Sequence, residues 1–248
     1  MGAYKNPIVL LHGTGLTSDM WDSFREALIK DGADAGSIYT VDLLGHGETP
    51  RPGRPLHIDD YVRQVRKLLL RNDLSGVHVV GHSLGGVVAL ALAKAHPELI
   101  ERVAVIGVPY GRSDEQRNEW LDLIMEGTRV SEDDASDPLA TVIPKIVARW
   151  CGGSTSAEVA GQLLGRMDPV TFGLVFRISM TSEPALAEMA PDVSVPVVVC
   201  AGSLDSEVDA AGVDELARAL DRGRAVVVND HFHLGILDSP ADFLPVLH

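Results

Sequence analysis

Short runs of apolar, largely β-branched residues alternate with amphipathic stretches along most of the chain. The apolar runs are Ile8–Leu11, Ser37–Val41, Val77–Val80, Val103–Val108, Val195–Cys200 and Ala225–Val228. Most are apolar on both faces, which is typical of strands in a parallel sheet that is covered on both sides. The amphipathic stretches predict crossover helices at Asp19–Lys30, Ile58–Arg71, Leu84–Ala95 and Val213–Leu220. The alternation predicts a doubly wound α/β fold with a mostly parallel sheet, whose sites lie beyond the carboxyl ends of the strands.

The alternation stops between residues 110 and 191, where the sequence becomes helical and polar and contains several prolines and the pair Gly152-Gly153. We interpret this segment as a helical cap, or lid, inserted into an α/β core made of residues 1–109 and 192–248. The alternative is an ordinary set of surface helices. The cap interpretation is favoured because the segment interrupts the sheet between two strands that carry candidate site residues.

Composition limits the kind of partner that the protein can have. The 248 residues are 46% hydrophobic and 23% charged, and the formal net charge is −14. This composition suits a globular protein with a large core, and its negative charge argues against nucleic acid and anionic lipid as partners. Two cysteines, no charged leader and no membrane-length apolar run predict a cytoplasmic protein without a disulfide framework. The oligomeric state stays open.

A Gly-x-Ser-x-Gly motif carries the candidate nucleophile. Ser83 lies in Gly81-His82-Ser83-Leu84-Gly85-Gly86, between a predicted strand and a predicted helix. A sharp strand-to-helix turn strains the serine backbone and needs glycine two positions to either side, where side chains would collide. The helix N-terminus favours negative charge developing beside Ser83. The alternative is a tight turn with an idle serine. His82, at the strand end, is expected to point away from the site.

With this elbow the chain resembles the α/β-hydrolase fold family of serine hydrolases. Two further turns carry the resemblance: the His-Gly turn in Ile8–Gly15, and Asp42–Gly47, which resembles an architectural turn of the family. The resemblance implies an oxyanion hole made by the backbone N–H groups of Thr14 and Leu84, and a structural role for His12. Many members have two strands before the His-Gly strand. Only about seven residues precede Ile8, so we expect about six strands, without those first two.

The order of triad residues in this fold is serine, acid, histidine. Asp205 lies three residues beyond Gly202 at a strand end, matching the family's Gly-x-x-Asp pattern, and is the predicted acid. Its rival, Asp209, falls at the start of the next helix, where a carboxylate is expected anyway.

Two histidines compete for the role of general base. The family resemblance favours His233, because Asp238 and Pro240 follow it at the usual spacing of five and seven residues. His231 lacks that spacing and is expected to lie outside the triad or to face the cap.

The predicted reaction is cleavage of a carboxylic ester or lactone through an acyl-enzyme, with a small-molecule substrate and no cofactor. No metal-ligand spacing, phosphate loop or dinucleotide fingerprint is present. Serine in place of aspartate argues against the dehalogenases and epoxide hydrolases that the chain resembles, and Leu234 in place of lysine argues against hydroxynitrile lyases. Three alternatives stay open: a C–C bond hydrolase or biosynthetic lyase of the same fold, a thioesterase that would need an open cap, and a non-catalytic ligand-binding module.

The predicted cap supplies candidate residues for a substrate pocket. The apolar candidates are Met125, Trp150, Met167, Phe172, Phe176 and Met180. Such residues at helical spacing more often pack a cap against its core. A C–C hydrolase would be expected to hold a substrate carboxylate with cap arginines, and the candidates are Arg112, Arg129, Arg149, Arg166 and Arg177. Most arginines on a helical cap are simply solvated.

Overall fold

The computed structural model of the protein describes residues 4–129 and 137–247, and a six-stranded sheet lies at its centre. The strands are β1 (Ile8–Leu11), β2 (Ile38–Val41), β3 (Val77–His82), β4 (Ile100–Ile106), β5 (Val197–Gly202) and β6 (Gly223–Val228). They run in the order β2-β1-β3-β4-β5-β6, and every neighbouring pair is parallel. The predicted α/β fold, with its parallel sheet of six strands, is confirmed.

The burial of each strand follows from its place in the sheet. β1 is buried along its whole length, as its uninterrupted apolar run predicts, and β3 is equally buried although it contains His78 and His82. β6 is an edge strand and is only half-buried. β4 ends two residues before the predicted boundary because Gly107 adopts a φ of 63°, which turns the chain out of the sheet.

Helices cover both faces of the sheet. The longer ones are α1 (Asp22–Lys30), α2 (Ile58–Arg71), α3 (Leu84–Ala95), α4 (Asp114–Gly127), α5 (Leu139–Cys151), α6 (Ser156–Leu164), α7 (Pro169–Met189) and α8 (Ala210–Ala219), with a short α9 (Gly235–Asp238) near the end. α2 and α3 have the predicted bounds. α8 begins three residues early because the Asp209 side chain accepts from the Gly212 N–H and caps it. Two hydrophobic clusters, one on each face, form the core.

The four helices α4–α7 connect β4 to β5 and pack over the carboxyl ends of the strands. A Cβ atom on Gly15, in the turn after β1, would meet side chains of Leu164 and Phe176. The carboxylate of Asp238 accepts from the Ser156 N–H over 2.7 Å at the start of α6. The division into core and cap stays a prediction, and its residues 1–3, 130–136 and 248 lie outside the described residues.

Candidate active site

Ser83 occupies the sharp turn between β3 and α3, with φ 48° and ψ −116°. Few L-residues adopt such a backbone conformation. A Cβ atom on Gly81 would collide with the carbonyl of Gly85, and one on Gly85 would collide with the carbonyl of Leu11. Both glycines are therefore required by close backbone contacts, as the sequence analysis expected. Together they hold the Ser83 side chain at the carboxyl edge of the sheet.

The turn after β1 lies against this elbow. A Cβ atom on Gly13 would lie 3.3 Å from the Cβ of Ser83, so the neighbouring Thr14 is close to the serine. Among the described residues, the N–H groups of Thr14 and Leu84 donate to no backbone carbonyl. Leu84 is the first residue of α3, where N–H groups have no partner inside the helix. Both donors suit the role of an oxyanion hole, which stays a prediction.

His12 links the turns after β1 and β2 and is fully buried. Its Nε2 accepts from the Leu43 N–H over 2.9 Å, and its Nδ1 lies 2.8 Å from the carbonyl oxygen of Gly13. Burial, the largest effect, lowers the pKa of His12 to about 4, so the ring is neutral at pH 7. These contacts agree with a structural role for His12.

Asp205 and His233 form a buried hydrogen-bonded pair. Nδ1 of His233 lies 2.9 Å from Oδ2 and 3.1 Å from Oδ1 of Asp205. Oδ1 also accepts from the N–H groups of Glu207, over 2.7 Å, and Val208, over 3.3 Å. Because a carboxylate only accepts, Nδ1 must carry the proton, which leaves Nε2 as the basic atom of a neutral ring. The two predicted residues are thus brought together in the arrangement that orients a general base.

Both Ser83 and His233 lie against the carboxyl end of β4, at Ile106 and Gly107. The Ser83 N–H donates to the carbonyl of Ile106 over 2.8 Å, and a Cβ atom on the next residue, Gly107, would lie 2.9 Å from the His233 ring. Nε2 of His233 is buried and has no hydrogen-bond partner among the described residues. Ser83 and His233 are therefore neighbours whose Oγ and Nε2 atoms are not hydrogen-bonded to each other.

The two rival residues have other partners. Asp209 is the N-cap of α8, where Oδ1 accepts from the Gly212 N–H over 2.8 Å. Nε2 of His231 lies 3.0 Å from the carboxylate of Asp242, in the 3-10 segment near the end of the chain. Both arrangements agree with the choice of Asp205 and His233.

The expectation that His82 points away from the site is wrong. Its ring centroid lies 4.7 Å from that of His233, and its Nε2 lies 2.9 Å from the His233 carbonyl oxygen. Burial, as the main cause, lowers the pKa of His82 to about 3. Strand alternation separates the side chains of His82 and Ser83, but the loop after β6 folds back over the face that His82 occupies. His82 therefore supports the His233 loop as a neutral hydrogen-bond donor.

Sequence reasoning also missed Glu207, two residues beyond Asp205. Its side chain is 1% exposed and accepts hydrogen bonds from three donors: Arg112 over 2.6 Å, Trp120 Nε1 over 2.8 Å and Arg149 Nε over 2.7 Å. Burial, the largest effect, acts to raise the pKa of Glu207, but the charges of Arg112, His233 and Arg149 together lower it. The available signal was a carboxylate in a segment that also contains the predicted acid.

Among the predicted pocket residues, Trp150 packs directly against His233. Its ring centroid is 5.4 Å from that of His233 and 6.0 Å from that of Phe176, on which it stacks. Phe172 packs on Phe176 at 4.3 Å, and both phenylalanines are buried. The structure does not bring Met125 to this cluster, because its side chain is 62% exposed in a groove whose described lining residues lie within 121–128 and 169–177.

A cleft of about 690 Å³ adjoins the Thr14 turn. Gly15, Thr17, His46, Arg51, Arg166 and Met167 are among its lining residues. The predicted pocket residue Met167 thus faces this cleft, while Trp150 packs on His233 and Phe176 stacks on Trp150. Ser83 and His233 themselves are only 6% and 2% exposed, so both candidate residues are shielded from solvent.

The cap arginines that could bind a carboxylate are partly engaged. Arg112 and Arg149 are paired with Glu207, and Arg166 pairs with Asp19 over 2.7 Å on the surface. Arg177 lines the outer groove that also contains Met125. Arg129 is exposed just beyond the end of α4. This distribution leaves no pair of cap arginines directed at Ser83 among the contacts of the described residues.

In residues 4–129 and 137–247, no group of three or more His, Cys, Asp or Glu side chains is placed to hold a metal ion. Within the same residues, no helix has both the length and the apolar character needed to cross a bilayer.

A family model described as the alpha/beta hydrolase fold matches residues 6–240. The chain belongs to the α/β-hydrolase fold family. The resemblance seen in the elbow and the two flanking turns is thereby confirmed, and the fold agrees with it.

Relatives of this α/β hydrolase span most of its length. It is 23% identical over 238 residues to the (E)-2-((N-methylformamido)methylene)succinate hydrolase of Acinetobacter baylyi, which covers 94% of this chain and 86% of the relative. It is 26% identical over 232 residues to the pimeloyl-(acyl-carrier protein) methyl ester esterase of Vibrio atlanticus. That match covers 91% of this chain and 86% of the relative. The prediction that the protein is a hydrolase is therefore confirmed by its family.

Solved structures of α/β hydrolases superpose closely. The enol-lactonase from Burkholderia xenovorans matches with a TM-score of 0.80 at 21% identity, over 97% of this chain and 89% of that chain. An esterase from Exiguobacterium antarcticum matches with a TM-score of 0.82 at 15% identity, over 100% of this chain and 91% of that chain. At these identities the likeness shows the shared fold alone.

Proposed function

We propose that this α/β hydrolase is a serine hydrolase that cleaves a small carboxylic ester or lactone through an acyl-enzyme intermediate. The observation that carries the proposal is the buried Asp205–His233 pair beside the strained Ser83 elbow. A methyl ester esterase among the compared sequence relatives supports the same class of bond. No cofactor enters the proposed reaction.

In the proposed first step, Oγ of Ser83 attacks the substrate carbonyl carbon while Nε2 of His233 takes the hydroxyl proton. Asp205 stabilises the imidazolium through Nδ1. The N–H groups of Thr14 and Leu84 hold the oxyanion. When the tetrahedral intermediate collapses, the carbon–oxygen bond of the ester breaks and His233 gives its proton to the departing alkoxide. With a lactone the alcohol stays attached to the acyl group.

In the second step, water attacks the acyl-enzyme and gives its proton to His233. The acid product leaves, and Ser83 recovers its proton. The burial of Ser83 and of His233, on which Trp150 packs, supports a small substrate and protects the intermediate from other nucleophiles. We place residues 110–191 in the role of a cap, and the cleft beside Thr14 is the proposed approach for substrate.

The alternatives have no specific observation in their favour. A C–C hydrolase that holds a substrate carboxylate with cap arginines is not supported by Arg112 and Arg149, which are paired with Glu207. A thioesterase that accepts a carrier protein needs an open cap, whereas Ser83 is 6% exposed. A binding module without catalysis does not require a hydrogen-bonded acid and base.

Labelling with a fluorophosphonate tests the proposal directly. We expect stoichiometric labelling of the native protein at Ser83, no labelling of Ser83→Ala, and hydrolysis of at least one member of a panel of esters and lactones. Ser83→Ala should lose about three or more orders of magnitude in kcat with an unchanged fold. A native protein whose Ser83 takes no label, or a folded Ser83→Ala variant that keeps near-normal turnover, would remove the nucleophile assignment. Faster hydrolysis of thioesters than of esters would replace the proposed bond class.

A further inference from the structure

Glu207 joins the loop that carries Asp205 to three separate parts of the segment 110–191. Its donors are Arg112, just before α4, Trp120 within α4, and Arg149 in the last turn of α5. The Glu207 and Arg112 side chains are 1% and 3% exposed, so this ion pair is almost completely removed from water.

A buried ion pair is weak evidence for a role in stability alone. Desolvation of a carboxylate and a guanidinium costs several kcal/mol, and well-packed apolar side chains often stabilise a core equally well. What such a pair does provide is a fixed geometry, because each oxygen and each N–H has a preferred direction. Both Glu207 oxygens are engaged, Oε1 by Arg149 and Oε2 by Arg112 and Trp120.

The backbone of Glu207 is what this geometry fixes. Its N–H donates to Oδ1 of Asp205 over 2.7 Å, and the same carboxylate accepts from Nδ1 of His233. A displacement of the Glu207 main chain therefore moves a donor on the acid that orients the base.

The end of α5 contacts the acid loop and the base loop directly. The carbonyl of Arg149 accepts from Oγ of Ser206 over 2.9 Å, and the carbonyl of Trp150 accepts from the Leu234 N–H over 3.2 Å. The last carbonyls of a helix have no partner within it, and here the two loops that carry Asp205 and His233 satisfy them.

We propose that Glu207 is a positioning residue: its side chain, held by Arg112, Arg149 and Trp120, fixes the peptide that orients Asp205, so that the helical segment sets the geometry of the acid and base. The proposal rests on the triad assigned under the proposed function. It also means that the cap is anchored to the core at this end.

The same arrangement sets the charge around His233. Asp205 and His82 contact His233, and burial keeps His82 neutral. The charge of Glu207, which Arg112 and Arg149 pair with, acts on His233 from the next part of the acid loop. Without the charge of Glu207, the guanidinium groups of Arg112 and Arg149 lose the negative charge with which they pair. A protonated His233 then becomes less favourable, and the base stays neutral at lower pH.

The test compares Glu207→Gln with the native enzyme and with Glu119→Gln. The Glu207→Gln change keeps the shape of the side chain but not its charge. Glu119 gives a matched control, because it is an exposed carboxylate that pairs with the same Arg149 over 2.8 Å. For Glu207→Gln we expect kcat per labelled site to fall about 10- to 100-fold with a smaller change in KM, since small misplacements of catalytic groups cost this much. The acidic limb of the kcat/KM profile should move down by about 0.5 pH unit or more. Glu119→Gln should change neither.

A purely structural role predicts a different result: less folded protein, but native kcat per fluorophosphonate-labelled site and an unmoved acidic limb. That outcome overturns the proposal. If Glu207→Gln does not fold, Trp120→Phe takes its place, because it removes one donor and keeps the charge. A fall in kcat of about 3-fold or more then supports the proposal, and an unchanged kcat overturns it. Absence of labelling at Ser83 in the native enzyme is separate, because it contradicts the proposed function itself.

Discussion

Nδ1 of His233 lies 2.9 Å from Oδ2 of Asp205, and both side chains are only 1% exposed. A buried carboxylate that faces an imidazole serves two purposes in an acyl-transfer site. It fixes the tautomer and the direction of the ring, and it stabilises the imidazolium that forms when the serine proton is taken up. Removing one member of such a pair leaves the other group without its partner in a low dielectric.

Asp205→Asn tests the acid against its rival. The amide keeps the size of the side chain but no longer stabilises the imidazolium, so kcat should fall by roughly 10³- to 10⁴-fold. Asp209→Asn is the matched control, because Asp209 caps α8 and asparagine is also a good N-cap. Its kcat and its free energy of unfolding should both stay close to native. Equal losses in kcat for the two variants would remove the distinction between acid and cap.

His233→Ala and His231→Ala separate the two candidate bases. The first should lose about as much activity as Ser83→Ala, and the double variant should be no worse than either single one, because members of a triad act as one unit. His231→Ala removes the contact with Asp242, which lies in the 3-10 segment Pro240–Leu247. It should therefore keep most of its turnover and lose only stability. The reverse result would reassign the base.

Gly107→Ala should damage the site as well as the fold. The residue has a φ of 63°, and an added Cβ would lie 2.9 Å from the His233 ring and 3.2 Å from Oδ2 of Asp205. Gly153→Ala is the control for backbone strain, since Gly153 has a φ of 84° and no atom within 4 Å of an added Cβ.

Both alanine variants should lose about 1–2 kcal/mol of unfolding free energy from strain, measured by denaturant titration. Only Gly107→Ala should also lose kcat per labelled site. A native kcat in the folded Gly107→Ala variant would show that the site tolerates a displaced His233 ring.

Acid should destabilise the protein through its buried histidines. Burial lowers the pKa of His12 to about 4 and that of His46 to about 3, and their ring centroids are 4.8 Å apart. His82, likewise buried, has a pKa of about 3. In the unfolded chain each ring takes up a proton near its ordinary pKa of about 6.5. The unfolded state therefore binds more protons than the folded state between about pH 6.5 and pH 4, and stability falls as pH falls through that window.

The slope should approach about 1 kcal/mol per pH unit for each of the three histidines. Urea titrations at several pH values measure it, and the His46→Gln variant should show a smaller slope than the native protein. A free energy of unfolding that stays constant from pH 7 to pH 5 contradicts neutral burial of these rings.

The pattern of apolar runs determined the sheet, because a strand buried on both faces is largely apolar at consecutive positions, as β1 and β5 are. The elbow glycines determined where Ser83 lies, since backbone contacts at Gly81 and Gly85 leave no room for a side chain. These are local requirements, and a local sequence pattern expresses them fully.

Only the tertiary structure decided which side chains of distant loops contact one another. His82 contacts His233 across 151 residues of sequence, and Glu207 meets Trp120 across 87. Met125 and Trp150 are both apolar residues of predicted cap helices, yet one faces solvent and the other covers His233. The difference depends on how helices with similar patterns rotate and pack against the sheet, and the periodicity within each helix does not specify it.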